Sequence, residues 1–296
     1  MFIIKYKKIF LILSVSMVLI SVVFISVFGL KSGIEFRGGA LVEVVYKDSR
    51  PSQDVLNKNL QTLNLGSVLI QPTGELGYIV KSRDLSDLEH SSLLKELTLE
   101  ENVATEISFT SIGPSVGKEL ARKAILSIIF VVLAIIIFIT YAFRKVSRPV
   151  KSWKYGIITI ITLLHDIIIP TGIFTLLSHY TGAEVDTLFV LALLTILGLS
   201  VHDKIVVFDR IRENLQLNKK ESFAETVGTS TQATIVRSIN ITLTIIFVLV
   251  PLYLFGPETT RNFSLILTIG LFFGIYSSLF FASPLLVLVE EWQKRK

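Results

Sequence analysis

Six long runs of apolar residues divide this chain, at about Ile9–Gly29, Ala124–Phe143, Tyr155–Leu177, Leu188–Phe208, Ile235–Phe255 and Phe263–Val289. A helix needs roughly 20 apolar residues to cross a hydrocarbon core, and each run reaches that length with almost no charge inside it. The pattern therefore predicts six membrane-spanning helices. From Lys31 to Arg122 its character changes. Ala40–Tyr46, Ser67–Gln71, Leu76–Ser82 and Val103–Thr110 are rich in β-forming residues and predict strands. Ser52–Asn64 carries Val55, Leu56, Leu60 and Leu63 at helical spacing. In Leu85–Leu97, Ser86 and Glu89 have the spacing of a capping box ahead of Leu93, Leu94 and Leu97. The order is βαββαβ, the split-βαβ or ferredoxin-like arrangement, with Pro72-Thr73-Gly74 expected to turn the chain before the third strand. The fold class read from the pattern is a mainly α, polytopic membrane protein with one α+β domain. Its segments are residues 1–30, 31–122 and 123–296.

Charge sets the expected orientation. Arg144, Lys145, Arg148, Lys151 and Lys154 follow the second run, and Arg210, Arg212, Lys219 and Lys220 follow the fourth. The chain ends in Lys294, Arg295 and Lys296, whereas His179–Thr187 has no Lys or Arg and the loop after the fifth run has only Arg261. Cytoplasmic loops hold the excess of Lys and Arg, so both termini are expected in the cytoplasm and the α+β domain outside. Lys5, Lys7 and Lys8 ahead of the first run resemble the start of a secretory signal. That run is too long for a signal h-region and no A-x-A-like site follows it, so it is read as a retained span. The net charge of +5 is then a property of the loops, and the sequence lacks the basic, aromatic-interleaved patch that nucleic acid requires. Cysteine is absent, which removes disulfides and thiolate metal sites.

Ionisable residues inside spans are costly and mark ion or proton paths. Asp166 lies in the third run, Asp203 in the fourth and Arg237 in the fifth. By helix rise, Asp203 sits about 22 Å and Arg237 about 27 Å from the outer ends of their spans, and Asp166 about 17 Å from its cytoplasmic end. All three can reach one polar interior. Ser230, Thr234, Arg237, Asn240 and Thr244 fall on one stripe, expected to face other helices. Low dielectric disfavours a charged carboxylate and a nearby guanidinium restores it. Asp203, Arg237 and Asp166 thus suit a proton relay in which moving the arginine couples protonation to conformation, with His202, Lys204 and Asn240 as modulators. A static Asp203–Arg237 pair that orients helices fits the residues equally well. His165 and His202 lack a metal-ligand spacing and suit packing or capping. Gly270, Gly274 and Ser278 at four-residue intervals form a small-xxx-small packing surface. Asp209-Arg210-Ile211-Arg212-Glu213 suits either a solvated helix end or an elbow along the membrane surface. No nucleophile–base set, P-loop or metal motif is present, so no enzymatic reading and no cofactor is expected.

Several segments resemble the SecF family of protein-export membrane subunits, within the SecD/SecF group of the RND superfamily. Gly33-Ile34-Glu35-Phe36-Arg37-Gly38-Gly39 resembles the motif that leads into the exported domain, and Ile112-Gly113-Pro114-Ser115-Val116-Gly117 the one that leaves it. Leu164-His165-Asp166, Ile205–Asn214 and Arg237-Ser238-Ile239-Asn240 resemble motifs of the third, fourth and fifth spans. The resemblance covers nearly the whole chain. It implies a six-helix RND-type half bundle with an extracytoplasmic domain, in the bacterial cytoplasmic membrane. It also implies an accessory role in the Sec preprotein translocase, using the proton-motive force with SecD. The partners implied are SecD, the SecYEG channel, YajC as a further candidate, and the exported preprotein. Asp203 and Arg237 occupy the positions of the family's intramembrane aspartate and arginine. The sequence departs from the family at His202-Asp203-Lys204, where Asn-Asp-Ser/Thr is usual. Lys204 is expected either to snorkel roughly 6–9 Å to the cytoplasmic surface or to neutralise Asp203. Two rival functions stay open: half of an RND-type small-molecule or lipid exporter, and a purely structural subunit that stabilises SecD.

Overall fold

The computed structural model describes residues 2–99, 102–144, 150–217 and 221–295. Lys145, Arg148, Lys219, Lys220 and Lys296, which enter the charge argument above, lie outside the described residues. The chain divides into two compact units, Met1–Lys31 with Ser127–Lys296, and Ser32–Leu126.

The smaller unit begins with a short helix, α3 (Ile34–Arg37), and continues as β1 (Gly39–Tyr46), α4 (Gln53–Gln61), β2 (Leu69–Thr73), β3 (Gly77–Ser82), α5 (Asp87–Leu97) and β4 (Ala104–Ile112). The sheet order is β2-β3-β1-β4, with every neighbour antiparallel. This is the split-βαβ topology that the alternation predicts. Val42, Val44 and Tyr46 alternate onto one face of β1, where Leu56 and Leu60 of α4 and Leu93 and Leu97 of α5 cover them. Each helical pair is four residues apart and so shares a face. Ser86 and Glu89 close a reciprocal capping box that starts α5. Pro72 does not open the turn as the sequence suggested. It lies within β2 opposite Tyr78, and the reversal falls at Gly74–Leu76. β2 is an edge strand, where a residue without an N–H costs no ladder bond. The two glycine-rich motifs meet each other. A Cβ on Gly38, which has φ of +85°, would lie 2.7 Å from Pro114 Cα, and a Cβ on Gly117 would lie 2.7 Å from Gly38 N. Only glycine permits this approach between the two ends of the domain.

The larger unit starts with a helical turn, α1 (Phe2–Lys5), and contains α2 (Lys7–Phe28), most of α6 (Pro114–Ala142), α7 (Ser152–Thr181), α8 (Thr187–Leu217), α9 (Phe223–Phe255) and α10 (Glu258–Tyr276). A π-helical segment, Ser277–Ala282, joins α10 to α11 (Ser283–Lys294). Among the described residues, six helical segments are long and apolar enough to cross a membrane, the last running from Thr260 to Lys294 through the π turn. Most extend past the runs read from sequence, because amphipathic turns continue a helix beyond its apolar centre. α8 continues unbroken through Asp209–Glu213, with Arg210–Glu213 at 2.6 Å and Arg212–Asp209 at 3.3 Å along its exposed face. Within that segment Ile211 is buried, and Asn214 donates to Ser230 Oγ at 2.8 Å, which ties the end of α8 to the start of α9. α7, α8 and the last helix are the most enclosed, whereas α2, α6 and α9 leave broad apolar faces exposed.

Candidate functional site

α8 carries two polar sites. One is closed. Asp166 on α7 and Lys204 on α8 are fully buried, and Lys204 Nζ donates to Asp166 Oδ2 at 2.6 Å. The ammonium also donates to Ser277 Oγ at 3.2 Å and to Ser200 Oγ, and the Ser200 hydroxyl donates to the same carboxylate oxygen. His165 Nδ1 lies 3.0 Å from the other oxygen, Oδ1. An ammonium has three donors and no acceptor, and here all three are taken by oxygens. Local sequence explains each placement. Ser200 and Lys204 are four residues apart and share a face of α8. The π turn holds Ser277 and Ser278 both fully buried. π turns are uncommon and concentrate at functional positions. The His165 ring packs against Phe281, with ring centroids 5.2 Å apart.

The other site is open. Asp203, at 6% exposure, lines a cleft of about 20 Å³ between α8, α9 and α10, with Ser200, His202, Thr242, Gly270 and Gly274 among its walls. That volume holds about one water. Ser200 thus belongs to both sites. No ion pair within 4.0 Å closes on Asp203 among the described residues. Ser238 on α9 lies beside it. Gly270 and Gly274 bring α10 against α8. A Cβ on Gly270 would fall 2.1 Å from Ile196 Cδ1, and one on Gly274 would fall 3.4 Å from Ser200 Oγ. Ser278, the third of the small residues, is fully buried and donates back to Gly274 O at 2.9 Å.

Three expectations change. Lys204 neither snorkels nor pairs with Asp203, because Asp166 and two serines hold its ammonium inside the bundle. Arg237 is exposed on this chain, as are Asn240 and Thr244, whereas Ser230 and Thr234 are buried. The stripe therefore turns outward along its length. The inner face of α9 belongs instead to Thr231, Thr234, Ser238 and Thr242, and Thr231 donates across to Ser283 Oγ at 3.0 Å. The static Asp203–Arg237 contact consequently does not form within this chain. His202 is exposed, and no group of three or more His, Asp or Glu among the described residues is arranged to hold a metal ion. Sequence reading missed Ser200 and Ser277. The four-residue spacing of Ser200 and Lys204 was a usable signal, but nothing in the sequence marks the π turn.

Comparison with known proteins agrees with this architecture. Residues 93–292 match the family described as "Protein export membrane protein SecD/SecF, C-terminal". A protein translocase subunit SecF from Thermobaculum terrenum is 38% identical, over 98% of this chain and 94% of its own. One from Anaerolinea thermophila is 37% identical, over 97% and 94%. The protein translocase subunit SecDF of Bacillus subtilis is 32% identical over 94% of this chain, which spans 37% of it. The crystal structure of SecDF from Thermus thermophilus, a translocon-associated membrane protein, superposes with a TM-score of 0.84 at 28% identity. It covers 97% of this chain, which spans 38% of that one. With its multi-pass helical unit and its split-βαβ domain, the chain belongs to the SecD/SecF family and, at that level, is an accessory subunit of the Sec protein translocase.

Proposed function

We propose that this chain works beside a SecD partner in the bacterial cytoplasmic membrane and couples the proton-motive force to late steps of preprotein export from the SecYEG channel. Both termini lie in the cytoplasm and the α+β domain lies outside, where it meets the emerging chain or the SecD domain. Two relatives named SecDF join a region like this one to further sequence in a single polypeptide, which supports SecD as the partner. The exposed polar face of Arg237, Asn240 and Thr244 on α9 supports it too. Polar groups facing lipid are costly, and bundles turn them toward other helices.

The observation that carries the reading is Asp203, a nearly buried carboxylate at a water-sized cleft with, among the described residues, no cation within 4.0 Å. Such a group can take and release a proton. Arg237, exposed on the neighbouring helix, favours the charged form when it approaches and the neutral form when it leaves. Asp166 takes a different part in this scheme. Its two oxygens accept from His165, Ser200 and Lys204, so it serves as a fixed anion beside the exchanging one.

Export of a model preprotein into vesicles tests the coupling. Asp203→Asn and Arg237→Ala should each remove the gradient-dependent part of the late export rate and leave the gradient-independent part unchanged. Chain and SecD abundance should stay constant in the same membranes. Wild-type rates from both variants under a full gradient would refute the coupling, and a loss that tracks SecD abundance would assign a purely structural role.

A further inference from the structure

The two ends of the helical unit meet in a second cleft, far along the sequence from the coupling residues. It has a volume of about 420 Å³ and is lined by Lys7, Lys8, Leu288, Glu291, Trp292 and Arg295 among others. Lys7 starts the first span and Trp292 stands near the end of the last. Trp and Lys at span ends sit at the level of lipid headgroups, with the indole at the interface and the amines reaching for phosphate.

The charges do not cancel. Glu291 is bonded to Lys7. Glu290, the next acid on the helix, is held by Lys294 at 2.7 Å. No salt bridge reaches Lys8 or Arg295 among the described residues, so both cations face the cleft with the local carboxylates already engaged. A further cation, Lys154, stands 5.8 Å from the Trp292 ring centroid. Beyond Lys8 on the same helix, Ile9, Ile12 and Leu13 are exposed apolar residues.

We infer that this cleft binds the headgroup of an anionic phospholipid, its phosphate between Lys8 and Arg295 and its acyl chains along Leu288 and the outer face of α2. A zwitterionic lipid fits less well, because its ammonium has only Glu291 to meet and Lys7 occupies that carboxylate. A soluble anion would match the cations but not the apolar floor. The site is independent of the coupling proposal and would stand if Asp203 proved inert.

Native mass spectrometry of the full chain, released from bilayers of phosphatidylcholine with added phosphatidylglycerol, tests it. The wild type should retain phosphatidylglycerol in preference to phosphatidylcholine, and excess inorganic phosphate should not displace it. Lys8→Gln with Arg295→Gln should weaken retention about twenty-five-fold, at roughly fivefold per cation near the surface. A control with the same loss of charge, Arg144→Gln with Lys151→Gln, should retain lipid like the wild type. Val289→Trp, which crowds the apolar wall of the cleft and leaves the cations in place, should also lose it. Equal loss in cleft and control variants would overturn the site in favour of diffuse surface attraction. Equal retention of the two lipids, displacement by phosphate, or lipid kept by Val289→Trp would overturn it as well.

Discussion

Asp166 and Asp203 stand on either side of the same serine and differ in almost everything else. Asp166 is fully buried, and an ammonium, a hydroxyl and an imidazole engage its oxygens. Asp203 borders a cleft, and among the described residues no cation lies within 4.0 Å of it. A carboxylate saturated by partners is a structural charge: its attraction to Lys204 has to offset the desolvation of both groups. A carboxylate with open valence is one whose protonation can change without breaking a network. Burial does not separate the two roles, since both residues are buried. The partner count around each oxygen does.

The sharpest way to break this comparison is to remove one half of the closed pair. Lys204→Met leaves an uncompensated carboxylate in the bundle and should cost about 3–5 kcal/mol, whereas replacing both charges is often close to neutral. Thermal unfolding of the purified chain should show a large loss for Lys204→Met and for Asp166→Asn, and recovery of most of it in Asp166→Asn/Lys204→Met. The double variant should also regain export. Asp203→Asn should change stability by about 1 kcal/mol or less, because no ion pair is lost. If the double variant folded but exported nothing, Asp166 would be an exchanging group and the division between the sites would fail.

A smaller effect is expected from the walls of the open site. Gly270→Ala puts a methyl 2.1 Å from Ile196 Cδ1 and 2.4 Å from its Cγ1. Ile196 is β-branched and buried, so it has few rotamers into which it can retreat. Overpacking of this kind costs about 1–3 kcal/mol. Gly274→Ala meets Ser200 Oγ at ordinary van der Waals distance, 3.4 Å, and should be close to neutral. Thermal unfolding of the two variants side by side checks the contrast. Equal effects would mean that α10 does not seat against α8 as described.

Much of the fold was legible because local patterns have local causes. Alternation placed the strands, and Ser86 with Glu89 placed the start of α5. Pro72 misled because its meaning depends on whether a strand lies at an edge, which the sequence does not state. The closed site was only half legible. Ser200 and Lys204 share a face by spacing, but their partner Asp166 sits 38 residues from Lys204 on another helix. The usual expectation for a lysine near a span end is to snorkel. Arg237 shows the limit of periodicity. α9 bears two polar stripes, Ser230-Thr234-Arg237-Asn240-Thr244 and Thr231-Thr234-Ser238-Thr242, and spacing alone does not choose which one turns inward. Within this chain the uncharged stripe turns inward, where a threonine hydroxyl needs less room and fewer partners than a guanidinium does.

The weakest predicted effect comes from an exposed counterpart of the Asp166–Lys204 pair. Arg83 and Glu89 are bonded at the start of α5, and Glu89 also accepts from Ser86 N at 3.0 Å and from Ser86 Oγ at 2.8 Å. The Arg83 bond first, and the Ser86 bonds after it, lower the Glu89 carboxyl from 4.5 to about 2. A folded value below the unfolded one means that the contribution is fully present above pH 4.5 and fades as pH falls toward 2. Water and salt screen both side chains, so the effect is small next to that of a buried pair. Hydrogen exchange of the α5 amides in the full chain, corrected for its intrinsic pH dependence, reads the local helix directly. Protection should decline across that window in the wild type and stay flat in Glu89→Gln. A wild-type profile as flat as that of Glu89→Gln would mean that the capping box contributes nothing in solution. The contrast between buried and exposed pairs would then be wider than the distances alone imply.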